Sequence, residues 1–202
     1  MGQRVLFVGV LLVVAAAGCG SSSAKRTEAA EPTQTHLFSP VGPNGVAAGV
    51  RIRRTADGEC WTGSGADLRP DAWRCFLGDN ILDPCFSNAG GTSTFVLCAQ
   101  DPWSSVVKLT LRKPLPQDMA NESSGDPTAK RPWSIKLADG KRCVALTGAT
   151  GTIAGLGIGY GCEGGGGLVG EPHRGSPTWT IFYGSSFDAK ALAQRPIADA
   201  WW

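Results

Sequence analysis

Apolar residues gather in one unbroken run, Val5 to Ala17, and after that only in short bursts between turn residues. The bursts read VAAGVRIRR, CWTG, DAWRCFL, TFVLC, VVKLTLRK, PWSIKLA, RCVALTG and WTIFYG. They are rich in β-branched and aromatic residues, and Asp57-Gly58, Gly78-Asp79-Asn80, Asp83-Pro84, Asp101-Pro102 and Asp139-Gly140 punctuate them as turns. In VVKLTLRK, Val107, Leu109 and Leu111 share one face while Lys108, Thr110 and Arg112 share the other, the period of a half-buried strand. Nothing after the first run keeps a helical period over three turns. Asp188–Gln194 (DAKALAQ) alone predicts a short C-terminal helix, ended by Pro196. The pattern predicts an all-β fold, a sandwich or a barrel.

One burst is unusual. GLGIGYGC (155–162) places glycine at every second position. It lacks the Gly-Lys-Ser/Thr of a phosphate loop, and its spacing misses the dinucleotide fingerprint. A period of two is that of a strand. Leu156, Ile158, Tyr160 and Cys162 are expected on one packed side, leaving bare backbone on the other. Gly155, Gly157 and Gly159, with Trp103 and Trp179, form the candidate ligand surface; an internal tryptophan is the competing cover for the glycines.

The N-terminal run is a targeting signal and not part of the fold. Arg4 supplies a positive n-region, and Val5–Ala17 is too short to span a membrane, which takes roughly 20 residues. Ala16-Ala17-Gly18-Cys19 resembles the lipobox of bacterial lipoproteins, although Ala16 stands where Leu or Val is usual. The resemblance implies a signal peptide over residues 1–18, a lipid on Cys19, and a membrane-anchored protein on the extracytoplasmic side. Residues 19–37 are polar and short of large apolar side chains, and read as a flexible tether. His36 falls in this tether, as a solvated residue. Residues 38–202 then form one β-rich domain.

Seven cysteines become six once Cys19 is set aside. An even number in an exported chain implies disulfides. No CxxC pair or nearby histidine suggests a metal, and nothing calls for a cofactor. Neighbours in order are expected to pair: Cys60–Cys75, Cys85–Cys98 and Cys143–Cys162. Each would close a loop of about 15–20 residues, worth about 3 kcal/mol.

Two halves, 50–112 and 133–184, show a weak internal repeat. VRIRRTADGECWTGSGA (50–66) lies over WSIKLADGKRCVALTGA (133–149), each with an apolar-basic pair, an Asp-Gly turn, a cysteine and Thr-Gly. The expected unit is a strand, an Asp-Gly hairpin and a second strand stapled onward by a disulfide. A polar insertion, 117–130, would join the halves as a long loop.

A net charge of +2 gives no electrostatic case for nucleic acid. Catalytic signals are thin. Asp79, Asp83 and Glu163 could serve a glycosidase as paired carboxylates, but all three stand in turn contexts. His173 is the one histidine beyond the tether, in a loop-like EPHRG, and no GxSxG elbow accompanies it. Most of the seven tryptophans read as core, and the terminal Trp201-Trp202 as a docked last strand.

The segments ECWTGSGADLRPDAWRCFLGDNILDPCF (59–86) and PWSIKLADGKRC…YGC…PTWTIFYG (132–184) are similar to uncharacterised exported proteins of actinobacteria. That resemblance implies location and a shared fold, not a reaction. The expected function is a non-catalytic binding or interaction module of the cell envelope, with wall glycan, a small molecule or an envelope protein as partner. A cell-wall glycan hydrolase and a purely structural lipoprotein are the alternatives.

Overall fold

In a computed structural model, which describes residues 31–88, 93–122 and 126–202, the apolar bursts become strands of two successive closed barrels. The N-terminal run and Cys19 lie outside the described residues. The described chain begins with three short strands, β1 (Gln34–His36), β2 (Val41–Gly42) and β3 (Gly45–Val46), the last two forming a small hairpin. The first barrel is β4 (Ile52–Gly63), β5 (Ala72–Leu77), β6 (Asn80–Phe86), β7 (Phe95–Cys98) and β8 (Val106–Leu111), each antiparallel to the next. β4 and β8 close it in parallel, from Ile52↔Val106 to Gly58↔Leu111. The second barrel uses β9 (Ser134–Leu137), β10 (Arg142–Ala145), β12 (Leu156–Cys162), β13 (Gly167–His173), β14 (Thr180–Gly184) and β15 (Ala193–Trp201), and β15 closes antiparallel on β9. A two-residue strand, β11 (Thr152–Ile153), pairs with the start of β12.

No α-helix occurs among the described residues; two 3-10 turns lie at Gln117–Met119 and Pro127–Ala129. The helix expected over Asp188–Gln194 is therefore absent. Ala193 and Gln194 pair instead with Tyr183 and Phe182, because a strand here extends the wall that β15 closes. Seven residues of weak helical pattern cannot outweigh those ladder bonds.

All three expected disulfides are present: Cys60–Cys75, Cys85–Cys98 and Cys143–Cys162. Each joins residues directly opposite on neighbouring antiparallel strands. The two pairs in the first barrel share its interior with Trp73, Val96, Val107 and Leu109. The pair in the second barrel borders a core of Ile135, Leu137, Tyr160, Leu168, Ile181, Ile197 and Trp202.

Two expected turns are not turns. Asp57-Gly58 lies inside β4, paired with Thr110 and Leu111. A Cβ on Gly58 would stand 2.6 Å from the Phe76 carbonyl oxygen, so this glycine answers close backbone approach. Asp83-Pro84 lies inside β6. Asp139-Gly140, by contrast, does turn β9 into β10, with Gly140 at φ 88°. The proposed repeat unit is thus one long strand in the first half and a hairpin in the second. The barrels occupy much the same stretches as the expected halves, and they differ in strand number and in the direction of the closing pair.

Of the stretch read as tether, residues 33–36 are tied to the second barrel. β1 runs parallel to the end of β15, Thr33 Oγ1 donates to the Ile197 carbonyl at 2.7 Å, and His36 Nε2 meets Asp199 Oδ1 at 2.8 Å. His36 also stacks on Trp201, with centroids 4.8 Å apart. Phe38 then enters a third apolar cluster, where Ala72, Phe86, Leu97 and Val106 of the first barrel meet Trp133 and Trp201. This seam joins the barrels. Trp202 is docked as expected: its indole Nε1 donates to the Lys130 carbonyl at 2.8 Å, and its own carbonyl accepts from the Phe38 amide at 2.6 Å.

Candidate functional site

A groove lies where the β7–β8 loop of the first barrel meets the outer face of β10 and β12. Its loop begins with Asp101, whose carboxylate accepts from the Trp103 amide at 2.8 Å and from the Ser104 amide and hydroxyl. This local turn holds the Trp103 indole edge-on against Trp201, with centroids 5.0 Å apart. The opposing wall follows from strand alternation. Cys143 points into the second barrel, so Arg142 and Val144 point out. The Arg142 guanidinium sits 5.0 Å from the Trp103 ring centroid, a cation–π contact that fixes both side chains. Gly161, opposite Val144, adds backbone to the lining, with the Leu146 side chain packed against it. Phe187, 58% exposed, stands at the rim. The space has a volume of about 370 Å³, and Gln100, Asp101 and Glu163 also reach it.

GLGIGYGC contributes to this groove, but not as one packed face and one bare face. Ala154 and Gly155, at φ 50° and 79°, form the two-residue turn between β11 and β12. Both positive φ values match the turn type that two-residue hairpins favour. Gly155 therefore serves a turn. Leu156 is 53% exposed, because the hairpin projects beyond the barrel. The pairing then slips: Ile158 faces Val169 while Tyr160 faces Leu168, leaving Gly159 as a bulge. The slip sends Ile158 outward, into a small cluster with Ile153 and Val169, and Tyr160 inward to the core. The expected common side is thus split in two.

No tryptophan covers the glycines. A Cβ at Gly157 would meet open space; at Gly159 it would come 3.8 Å from the Arg131 guanidinium; at Gly161 it would come 3.1 Å from Leu146. Trp103 lines the groove. Trp179 is not a free platform: Arg174 lies over it at 4.9 Å, and its edge meets Trp202. Arg142, Arg131 and Phe187 were missed by sequence reasoning. Arg142 had a signal, since it flanks a cysteine in an alternating strand. Phe187 was an aromatic in a turn-rich GSSF.

The carboxylates are not gathered. Asp79 is exposed in the β5–β6 turn. Asp83 lies inside β6 with its side chain only 2% exposed, so the two carboxylates do not share one solvent-facing cleft. Asp83 is also occupied: it accepts from Ser64 Oγ, from the Gly65 amide at 3.2 Å and from Arg74 Nε at 2.8 Å. Glu163 belongs to the β12–β13 turn of the other barrel. His173 is exposed, its ring edge-on to Phe182. The sulfurs of Cys75, Cys85 and Cys98 lie within 4.8 Å of one another, but each is half of a disulfide and offers no thiolate to a metal.

Architecture and site together define a disulfide-stapled pair of β-barrels with an aromatic groove between them. No protein-family model matches the chain, and no curated protein or solved structure does either.

Proposed function

We propose that this chain is a lipid-anchored, extracytoplasmic binding module of the cell envelope, non-catalytic, whose ligand is held in the Trp103 groove. The signal-like N-terminus and three disulfides support an oxidising, exported setting. The observation that carries the reading is the groove. Trp103, fixed by Trp201 and Arg142, presents an aromatic wall to a groove that Val144, Gly161 and Phe187 also line. An aromatic wall with a few polar groups around it suits a sugar ring of wall glycan, which stacks through its C–H face. The hydrolase alternative finds no geometric support in Asp79, Asp83 and Glu163.

Titration of the protein with soluble wall oligosaccharides, followed by tryptophan fluorescence, tests the reading. Saturable change that Trp103→Ala abolishes while the protein still unfolds cooperatively is the expected result. Absence of any saturable change with such oligosaccharides would remove the glycan assignment. Labelling with palmitate tests the anchor separately: label should enter the wild type, and a Cys19→Ser protein that still took it up would refute lipidation at that residue.

A further inference from the structure

A second cleft opens between the barrels, and it shares no lining residue with the Trp103 groove. Its volume is about 710 Å³. The first barrel contributes Gly65 and Leu68; the connection and the second barrel contribute Lys130, Arg131, Glu171 and Arg174. Three basic residues and one acidic residue therefore stand among the described lining residues.

The two arginines are held in place before any ligand arrives. Arg174 donates Nη1 to the Thr128 carbonyl at 2.7 Å and Nη2 to the Lys130 carbonyl at 2.8 Å. Its guanidinium carbon lies 4.9 Å from the Trp179 ring centroid and 5.3 Å from that of Trp202. Arg131 donates Nη2 to the Gly65 carbonyl at 3.3 Å. Its Nη1 lies beside the Gly159 bulge, 3.8 Å from where a Cβ on that glycine would stand. A guanidinium has more N–H donors than these bonds use, in a planar fork that matches an oxyanion. Fixed donors lose little entropy on binding. Asp126 is close enough for the Arg174 charge to act on its carboxyl, but that carboxyl is held below its usual range first by hydrogen bonds from Thr128.

We infer that this cleft is an oxyanion site, taking the phosphate or carboxylate group of a small ligand between Lys130, Arg131 and Arg174. The side chain of Lys130 is the part that can be altered safely. Its backbone carbonyl, not its amine, anchors Arg174 and Trp202. Glu171 opposes the ligand's charge.

The test uses the whole chain, titrated with inorganic phosphate and, separately, with acetate at constant ionic strength. The side-chain N–H resonances of Arg131 and Arg174 report occupancy. Saturable shifts with at least one of the two anions are expected, and which one responds identifies the group. Lys130→Gln should weaken that binding about tenfold at unchanged melting temperature. Glu171→Gln should tighten it several-fold. The inference is overturned if neither anion gives saturation, or if both variants bind as the wild type does.

Discussion

Arg74 Nε meets Asp83 Oδ2 at 2.8 Å across β5 and β6, with the carboxylate side chain only 2% exposed. The same carboxylate accepts from the Gly65 amide and the Ser64 hydroxyl, so it organises the loop that follows β4 as well as pairing a charge. Removing it strands a partly buried guanidinium and two donors. Asp83→Ala should therefore cost about 3 kcal/mol, seen as a lower denaturant midpoint at unchanged slope. A loss below about 1 kcal/mol would mean that the pair acts as an ordinary surface ion pair.

The Cys143–Cys162 bond closes a loop of sequence separation 19. Replacing both cysteines with serine should lower stability by about 3 kcal/mol on the chain-entropy account. The loss should be largest in the second barrel, where hydrogen exchange of β10 and β12 amides should rise before that of β5 and β6. Equal acceleration in both barrels would show that they unfold as one unit.

Glycines can be ranked by what surrounds them. Gly157→Ala meets nothing within 4 Å and should leave stability within about 0.5 kcal/mol of wild type. Gly58→Ala meets a backbone oxygen at 2.6 Å and a Leu109 methyl at 2.9 Å. It should destabilise by about 2 kcal/mol through overpacking, measured as the difference in midpoint between the two variants. A Gly58→Ala protein as stable as Gly157→Ala would refute the close approach of β4 to β5.

Burial pushes the Asp199 carboxyl up, but hydrogen bonds from His36 and Lys136 and their charges outweigh it and leave the group below its ordinary range. Its folded pKa therefore lies under the unfolded value of about 3.9. The stability it contributes is complete above that value and is lost as pH falls through the folded pKa. Wild type should exceed Asp199→Asn in stability at neutral pH, and the gap should close below about pH 4. Asp67 runs the other way. Burial raises its carboxyl above the ordinary range despite Arg69, so that group costs stability as pH rises through its folded pKa. A gap between wild type and Asp199→Asn that stays constant from neutral to acid pH would contradict the assignment.

The all-β class and the disulfide pairing were legible because both are local. Short alternating bursts report strands, and cysteines on sequential antiparallel strands pair with their neighbours. What the chain did not disclose was decided by partners far away. Gly58 reads as a turn until β8, some fifty residues on, pairs beside it. GLGIGYGC reads as two clean faces until β13 imposes the slip at Gly159. DAKALAQ reads as a helix until β14 recruits its last residues. The groove was half legible: Trp103 was named as a candidate platform, whereas Arg142, Gly161 and Phe187 meet it only through the docking of one barrel on the other. Nothing local announces Arg174 above Trp179.

The pairing of β1 with β15 also orders events in time. His36 and Asp199 are 163 residues apart, and the seams β4–β8 and β9–β15 each close over shorter stretches. Long closures are entropically late. On that account the strand synthesised first among those described should be the last to pair, once β15 exists to receive it.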